Sequence, residues 1–294
     1  MLSVLFAVLT AAANGSASVL QRRAAAQAPD SSAMRVSLIT GLLRRPVWLA
    51  GVGMVVVAAL CQATALATGP ISVVQPIFVI ELPITLLLAG VVFRRRLPTR
   101  TWVGVGAVTA GLALGMAAAA PAHGGTRAAG WAWLAALPVT AGFEALLISA
   151  GLRTRGRPRA ALFGLAAAGA YALTAALMKD AMARLGGGAA QFFTTWQLYG
   201  TAVAGVGALF LLQNALQAGS LAASQPMLTL GDALISTAYG VVLYGEHIRT
   251  GWWTLAELVA LAVIAAGIVE LAHSLAESES GGGGAVGASR RAPA

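Results

Sequence analysis

The chain has 294 residues, of which 58% are hydrophobic and only 10% charged, against about 25% charged in an average soluble domain. Its formal net charge of +9 comes from short arginine-rich clusters between apolar runs. That distribution excludes a nucleic-acid module, which gathers its basic residues on one surface, and indicates a polytopic membrane protein. The single cysteine, Cys61, lies within an apolar run, so no intrachain disulfide or thiolate metal cluster can form.

A membrane-spanning helix needs about 20 mostly apolar residues. Nine runs qualify in chain order: 2–20, 47–66, 71–93, 101–120, 130–150, 160–182, 190–212, 219–243 and 252–273. The runs are continuously apolar rather than alternating, which excludes a β-barrel and predicts an all-α integral membrane protein. The first run has no positive charge before it; Arg22 and Arg23 follow it. That order differs from a signal peptide and predicts a retained first span. After Glu277 the tail contains the run Gly281–Gly284 and little apolar area, so residues 276–294 are expected to be a disordered cytoplasmic tail.

Arginine sets the expected orientation. The connections after spans 1, 3 and 5, together with the tail, hold 15 basic residues, including Arg94, Arg95, Arg96, Arg153, Arg155, Arg157 and Arg159. The opposite connections hold 4: Arg127, Lys179, Arg184 and Arg249. The positive-inside rule therefore predicts an external N-terminus and a cytoplasmic C-terminus in a bacterial inner membrane.

Residues 66–102 and 216–252 are related without gaps at an offset of 150. Leu66, Gly69, Gln75, Pro76, Gly90-Val91-Val92 and Trp102 pair with Leu216, Gly219, Gln225, Pro226, Gly240-Val241-Val242 and Trp252. Phe6, Ala13, Leu20 and Ala24 likewise match Phe163, Ala170, Leu177 and Ala181 at an offset of 157. Five spans per unit would make the two copies antiparallel, predicting a first repeat over 1–158 (spans 1–5) and a second over 159–275 (spans 6–9). Proline-interrupted spans at matching places in two halves mark the binding region of secondary transporters.

Several polar residues fall inside spans. Glu81 and Asp232 lie near the middle of spans 3 and 8, within roughly 2 Å of the midplane by count, one position apart under the repeat offset. A carboxylate at the bilayer centre costs at least about 2.5–3.5 kcal/mol on insertion scales, so such groups face the interior or a wet cavity. They form either a proton, cation or counter-ion site, or protonated carboxyls bonded to neighbouring backbone. Glu144, in span 5, sits about 6 Å to the cytoplasmic side of its centre, six residues after Pro138. It belongs either to the same cavity or to a peripheral span, reaching a cytoplasmic arginine. Glu257 and Glu270, near the ends of span 9, are expected to snorkel to water.

Pro76 and Pro226 each remove a backbone donor. The amides of Gln75 and Gln225 can bind the freed carbonyl or a ligand, so these pairs serve either as hinges and gates or as packing kinks. In span 7, Gln191, Thr194, Thr195, Trp196, Gln197 and Tyr199 form either a polar–aromatic wall or an interfacial aromatic belt. His123, His247 and His273 lack zinc-ligand spacing, and Gly186–Gly188 is not followed by a phosphate-loop Lys-Ser/Thr pair. No cofactor and no enzymatic constellation is predicted, and the identity of any bound metal is left open.

On these residues the chain resembles the drug/metabolite transporter (EamA-like) superfamily, and its nine-span count the NIPA-like magnesium transporter branch. Gly240-Val241-Val242-Leu243-Tyr244-Gly245-Glu246-His247-Ile248, then Trp252, is similar to the superfamily signature before a repeat's fourth span. Asn14-Gly15-Ser16-Ala17-Ser18-Val19-Leu20-Gln21-Arg22-Arg23 is similar to that branch's small-residue first span, and Leu66–Pro76 to its third-span entry. The first repeat departs from the pattern with Arg94-Arg95-Arg96-Leu97-Pro98. The bulky, tryptophan-containing seventh span is a second departure.

The resemblance implies two inverted repeats of about five spans. With the residues above it yields an expected function: alternating-access transport of a small metabolite or ion, with a proton as coupling ion. The site would be lined by Gln75, Glu81, Gln225, Asp232 and Glu144 between hinges at Pro76 and Pro226. A divalent-cation pathway of the magnesium type and a non-transporting membrane scaffold are the rivals. The expected partners are the lipid bilayer and a small-molecule or ion substrate, in a monomer or homodimer.

Overall fold

The computed structural model describes residues 1–25, 45–92, 98–122, 124–218 and 221–288. Among them the side chains of residues 21, 22, 24, 25, 213, 216, 217, 221–223, 225, 226, 272 and 274–288 lie outside the description, and with them those of Gln225 and Pro226. The described chain is helical. Eight helices are long and apolar enough to cross a membrane. A ninth carries a shorter apolar stretch, Trp196–Leu212.

The first span is α1 (Leu2–Ala25) and the second α2 (Pro46–Thr68). Pro46 opens α2 within its first turn, where its missing N–H would have had no helical partner in any case. The expected third span is one path but not one helix. It runs as α3 (Ile71–Ile77), a 3-10 turn over Phe78–Ile80, and α4 (Glu81–Val92). Pro76 cannot donate to the carbonyl four residues back, and the turn tightens immediately after it. α5 (Thr99–Ala119) and α6 (Gly130–Arg153) follow, with Pro138 inside α6.

The central element is α7 (Arg157–Leu185). Its buried residues are mostly small: Ala166, Ala167, Ala168, Ala170, Ala172, Ala175 and Ala176. Small side chains let neighbouring helix backbones approach closely where the hydrophobic effect gives no net pull between helices. The seventh run is interrupted at Thr195, whose backbone is extended. A six-residue helix, α8 (Ala189–Thr194), precedes α9 (Trp196–Ala218). Gln191 and Thr194 therefore stand on a separate, exposed turn, whereas Thr195 and Gln197 are buried and Trp196 and Tyr199 exposed.

α10 (Leu221–Tyr244) and α11 (Trp253–Ala288) complete the chain. The α11 backbone continues through Gly281–Gly284 to Ala288, where the composition predicts disorder; extending a formed helix needs no new nucleus.

α1 packs along α2, α7 along α9, α5 along α11, and α10 along α7, with α3 against α10. The outward faces of α6, α9 and α11 expose Leu134, Val139, Leu146, Val203, Phe210 and Leu258. An apolar surface of that extent suits lipid and not water.

Candidate functional site

Glu81 and Asp232 lie within electrostatic reach of each other. Glu81 begins α4 immediately after the 3-10 turn, and Asp232 lies on α10. They are close enough to interact electrostatically with each other and with Tyr171 of α7. Asn14 of α1 donates its Nδ2–H to Glu81 Oε2 at 3.2 Å. Ser236, one turn along α10, donates to Asp232 Oδ1 at 3.3 Å. Residues of four spans thus lie around the two carboxylates, each of which receives one long side-chain hydrogen bond among the described residues.

Glycines let the helices close here. A Cβ on Gly15, next to Asn14, would lie 2.9 Å from Thr85 Oγ1. One on Gly231, next to Asp232, would lie 2.7 Å from Leu165 Cδ1 and 2.9 Å from Ala168 Cβ. Both contacts are tighter than a side chain tolerates without displacing its neighbour.

A polar stripe continues along α10. Asp232, Ser236 and Tyr239 recur at helical spacing and share one face. The Tyr239 hydroxyl is hydrogen-bonded to Thr140 of α6 and lies within electrostatic reach of Glu144. Glu144 Oε1 is buried and has no hydrogen-bond partner. Glu144 thus stands beside α10 at the Tyr239 end of the stripe, facing Gly169 of α7. Gln75 is 2% exposed and its Oε1 also lacks a partner, so an amide acceptor is free inside the fold. Pro76 lines a cavity at the break in the third span.

A second buried polar cluster, not anticipated as a unit, lies at the beginning of α3. Glu246 follows the αL cap of α10, where Gly245 adopts φ 62° and donates its N–H to Val241 O at 3.1 Å. That turn aims the carboxylate back across the fold. Glu246 Oε1 accepts from Ile71 N at 2.8 Å and from Lys179 Nζ at 3.1 Å. Glu246 Oε2 accepts from Ser72 N at 2.9 Å and Ser72 Oγ at 2.6 Å. Lys179 Nζ also donates to Gly69 O at 2.8 Å and lies 5.0 Å from the centre of the Tyr244 ring. A side chain on Gly240 would overlap Glu246 Oε2. Next in the chain, Asp180 Oδ2 accepts from Trp133 Nε1 at 2.9 Å and Gln197 Nε2 at 3.0 Å. Thr195 completes this chain by donating to Gln197 Oε1.

The sequence carried a partial signal for this cluster. Gly245-Glu246 belongs to the recurring segment that follows span 8, and Lys179 is the chain's one lysine. Neither fact reveals that they meet. Glu257 is half-buried; among the described residues its Oε1 has no hydrogen-bond partner, and the residue lines the cavity beside Pro76. Among the described residues, no group of three or more His, Cys, Asp or Glu is arranged to hold a metal ion.

The chain is similar to an uncharacterized protein of Corynebacterium glutamicum, 26% identical over 290 residues, which cover 93% of this chain and 96% of that relative. No family model matches the chain, and no solved structure matches it.

Proposed function

We propose that the protein is a secondary transporter of the drug/metabolite type, with nine spans in two inverted-topology repeats. It would move a small metabolite or ion across a bacterial inner membrane by alternating access. The observation that carries this reading is that Glu81 and Asp232, from spans matched in sequence, lie within electrostatic reach of each other and of Tyr171, with Asn14 bonded to Glu81. Membrane-embedded carboxylates with so few partners are costly, and sites of that kind serve ion or proton pathways.

The helix pairing supports the repeat. α1 on α2 has its counterpart in α7 on α9, and α5 pairs with α11, the fourth span of one unit with the fourth of the other. The broken third span supplies the discontinuous helix that such transporters place at their sites. In this mechanism Glu81 and Asp232 take up and release the coupling proton or cation, while Gln75 and Glu144 offer free acceptors to the substrate. The halves would rock about the break at Pro76 and about the matching sequence position Pro226.

Reconstituted into proteoliposomes, the protein should show solute flux driven by a pH gradient. Glu81→Gln combined with Asp232→Asn should abolish gradient-driven flux while leaving the protein folded in detergent. Unchanged flux in the double variant would overturn the role of the pair.

A further inference from the structure

The cavity beside the third-span break holds a second inference, independent of whether the protein transports. Its volume is about 120 Å³, and it lies between α3, α5, α10 and α11. Pro121 and Ile248, from inter-helix connections, line it as well, so it extends to the helix ends. Glu81, Asp232 and Glu144 do not line it.

The polar groups of this cavity are all acceptors. Glu257 Oε1 is buried and has no hydrogen-bond partner. The Thr237 hydroxyl already donates to Ala233 O at 2.7 Å, leaving only lone pairs. The Ser72 hydroxyl donates to Glu246. The Ser72 carbonyl has lost its helical donor, because residue 76, four positions on, is a proline. Ser72, Pro76, Thr237 and Glu257 all line the cavity. The rest of the wall is apolar, with Leu112 and Leu261 among its residues.

A chamber with a carboxylate, spare acceptors, no offered donor and greasy walls is complementary to one chemistry. We propose that it binds a small alkylammonium ion, whose three N–H donors meet Glu257 and its neighbouring acceptors while the hydrocarbon lies along the apolar wall. An ammonium has three donors and no acceptor. At about 30 Å³ per water the cavity equals roughly four waters, a space filled by a chain of four or five heavy atoms. A cation there also offsets the cost of leaving a buried carboxylate oxygen without a donor. The ammonium can come from a free amine or from the ethanolamine headgroup of a lipid.

The test is thermal unfolding of the full-length protein in detergent, with n-butylammonium against the isosteric neutral 1-butanol and against sodium. Butylammonium should raise the melting temperature saturably; butanol and sodium should not. Glu257→Gln should remove the shift. Leu261→Phe, which keeps the carboxylate and fills the cavity, should remove it too. Thr237→Val should raise the half-saturating concentration by about threefold to tenfold, the worth of one modest hydrogen bond. The Glu81→Gln/Asp232→Asn variant should retain the full shift, which separates this site from the proposed transport site.

An equal response to butanol, persistence of the shift in Glu257→Gln or Leu261→Phe, or its loss in the Glu81/Asp232 variant would each overturn the proposal. A larger Glu257-dependent shift with phosphatidylethanolamine than with butylammonium identifies a lipid headgroup as the source, and the reverse a free amine.

Discussion

Two sets of acidic residues inside the same fold are treated in opposite ways. Glu246 receives four hydrogen bonds of 2.6–3.1 Å, from two backbone amides, a serine hydroxyl and a lysine. Glu81 and Asp232 receive one side-chain bond each, at 3.2 and 3.3 Å. A carboxylate saturated with donors is held in place and holds structure. A carboxylate with one long bond has spare acceptor capacity, and exchanging its proton or ion disturbs little around it. The difference separates a fastening of α3 from a pair of acids with acceptor capacity to spare.

This contrast can be broken most forcefully at Glu246. Glu246→Gln leaves Lys179, whose side chain is only 7% exposed, without its counter-charge. Breaking a buried ion pair from one side costs about 3–5 kcal/mol, so the variant should lose most of its stability to denaturant in detergent. The double variant Glu246→Gln/Lys179→Met should recover a large part of that loss, because no uncompensated charge remains. If Glu246→Gln alone unfolds at the wild-type midpoint, the fastening role is wrong.

Trp133→Phe is a milder disturbance. It removes the indole donor from Asp180, a bond to a charged group worth about 1.5–3 kcal/mol. The same denaturation midpoint reads it. Gln197→Leu should act in the same direction.

The pair Glu81 and Asp232 should show the reverse profile. Glu81→Gln and Asp232→Asn singly should change stability by no more than about 1 kcal/mol, since each gives up at most one long hydrogen bond. Gradient-driven flux should nevertheless collapse in each. A loss of stability as large as that of Glu246→Gln would place these acids in the structural class instead. Asn14→Ala is the smallest expected change: about 0.5–1.5 kcal/mol or less, with slowed rather than abolished flux.

The two copies of the repeated segment sharpen the same lesson. Glu246 lies at the end of the second copy's span; the residue 150 positions earlier is Arg96. The acid that holds the start of the first copy's broken helix therefore has no acidic counterpart for the second copy. The Gln-Pro pair recurs at both places, but Pro76 stands just before a helix break whereas α10 runs unbroken from Leu221 to Tyr244 across Gln225-Pro226.

Much of this was legible from residue order. The apolar runs predicted the spans because composition over 20 residues decides whether a helix suits lipid, and the described residues form eight such helices plus a shorter one. Pro76 announced a break, and the acids Glu81, Asp232 and Glu144 were visible because charge is scarce in apolar runs. The position of the break, the 3-10 turn placing Glu81 at a helix start, was less legible. So was the interruption at Thr195, where an extended residue separates two helices without a proline or glycine at that position.

The sequence by itself determined the helical, lipid-suited character of the chain and the scarcity of charge in its apolar runs, because these are properties of local composition and spacing. Only the tertiary structure decided which charges are spent and which are free. Glu246 meets Ile71 across 175 positions and Lys179 across 67, and Glu257 lines a cavity that α11 shares with α3, α5 and α10. Such meetings depend on how closely small residues such as Gly240, Gly231 and the alanines of α7 let helices approach, and a hydrogen bond exists only once that approach has been made.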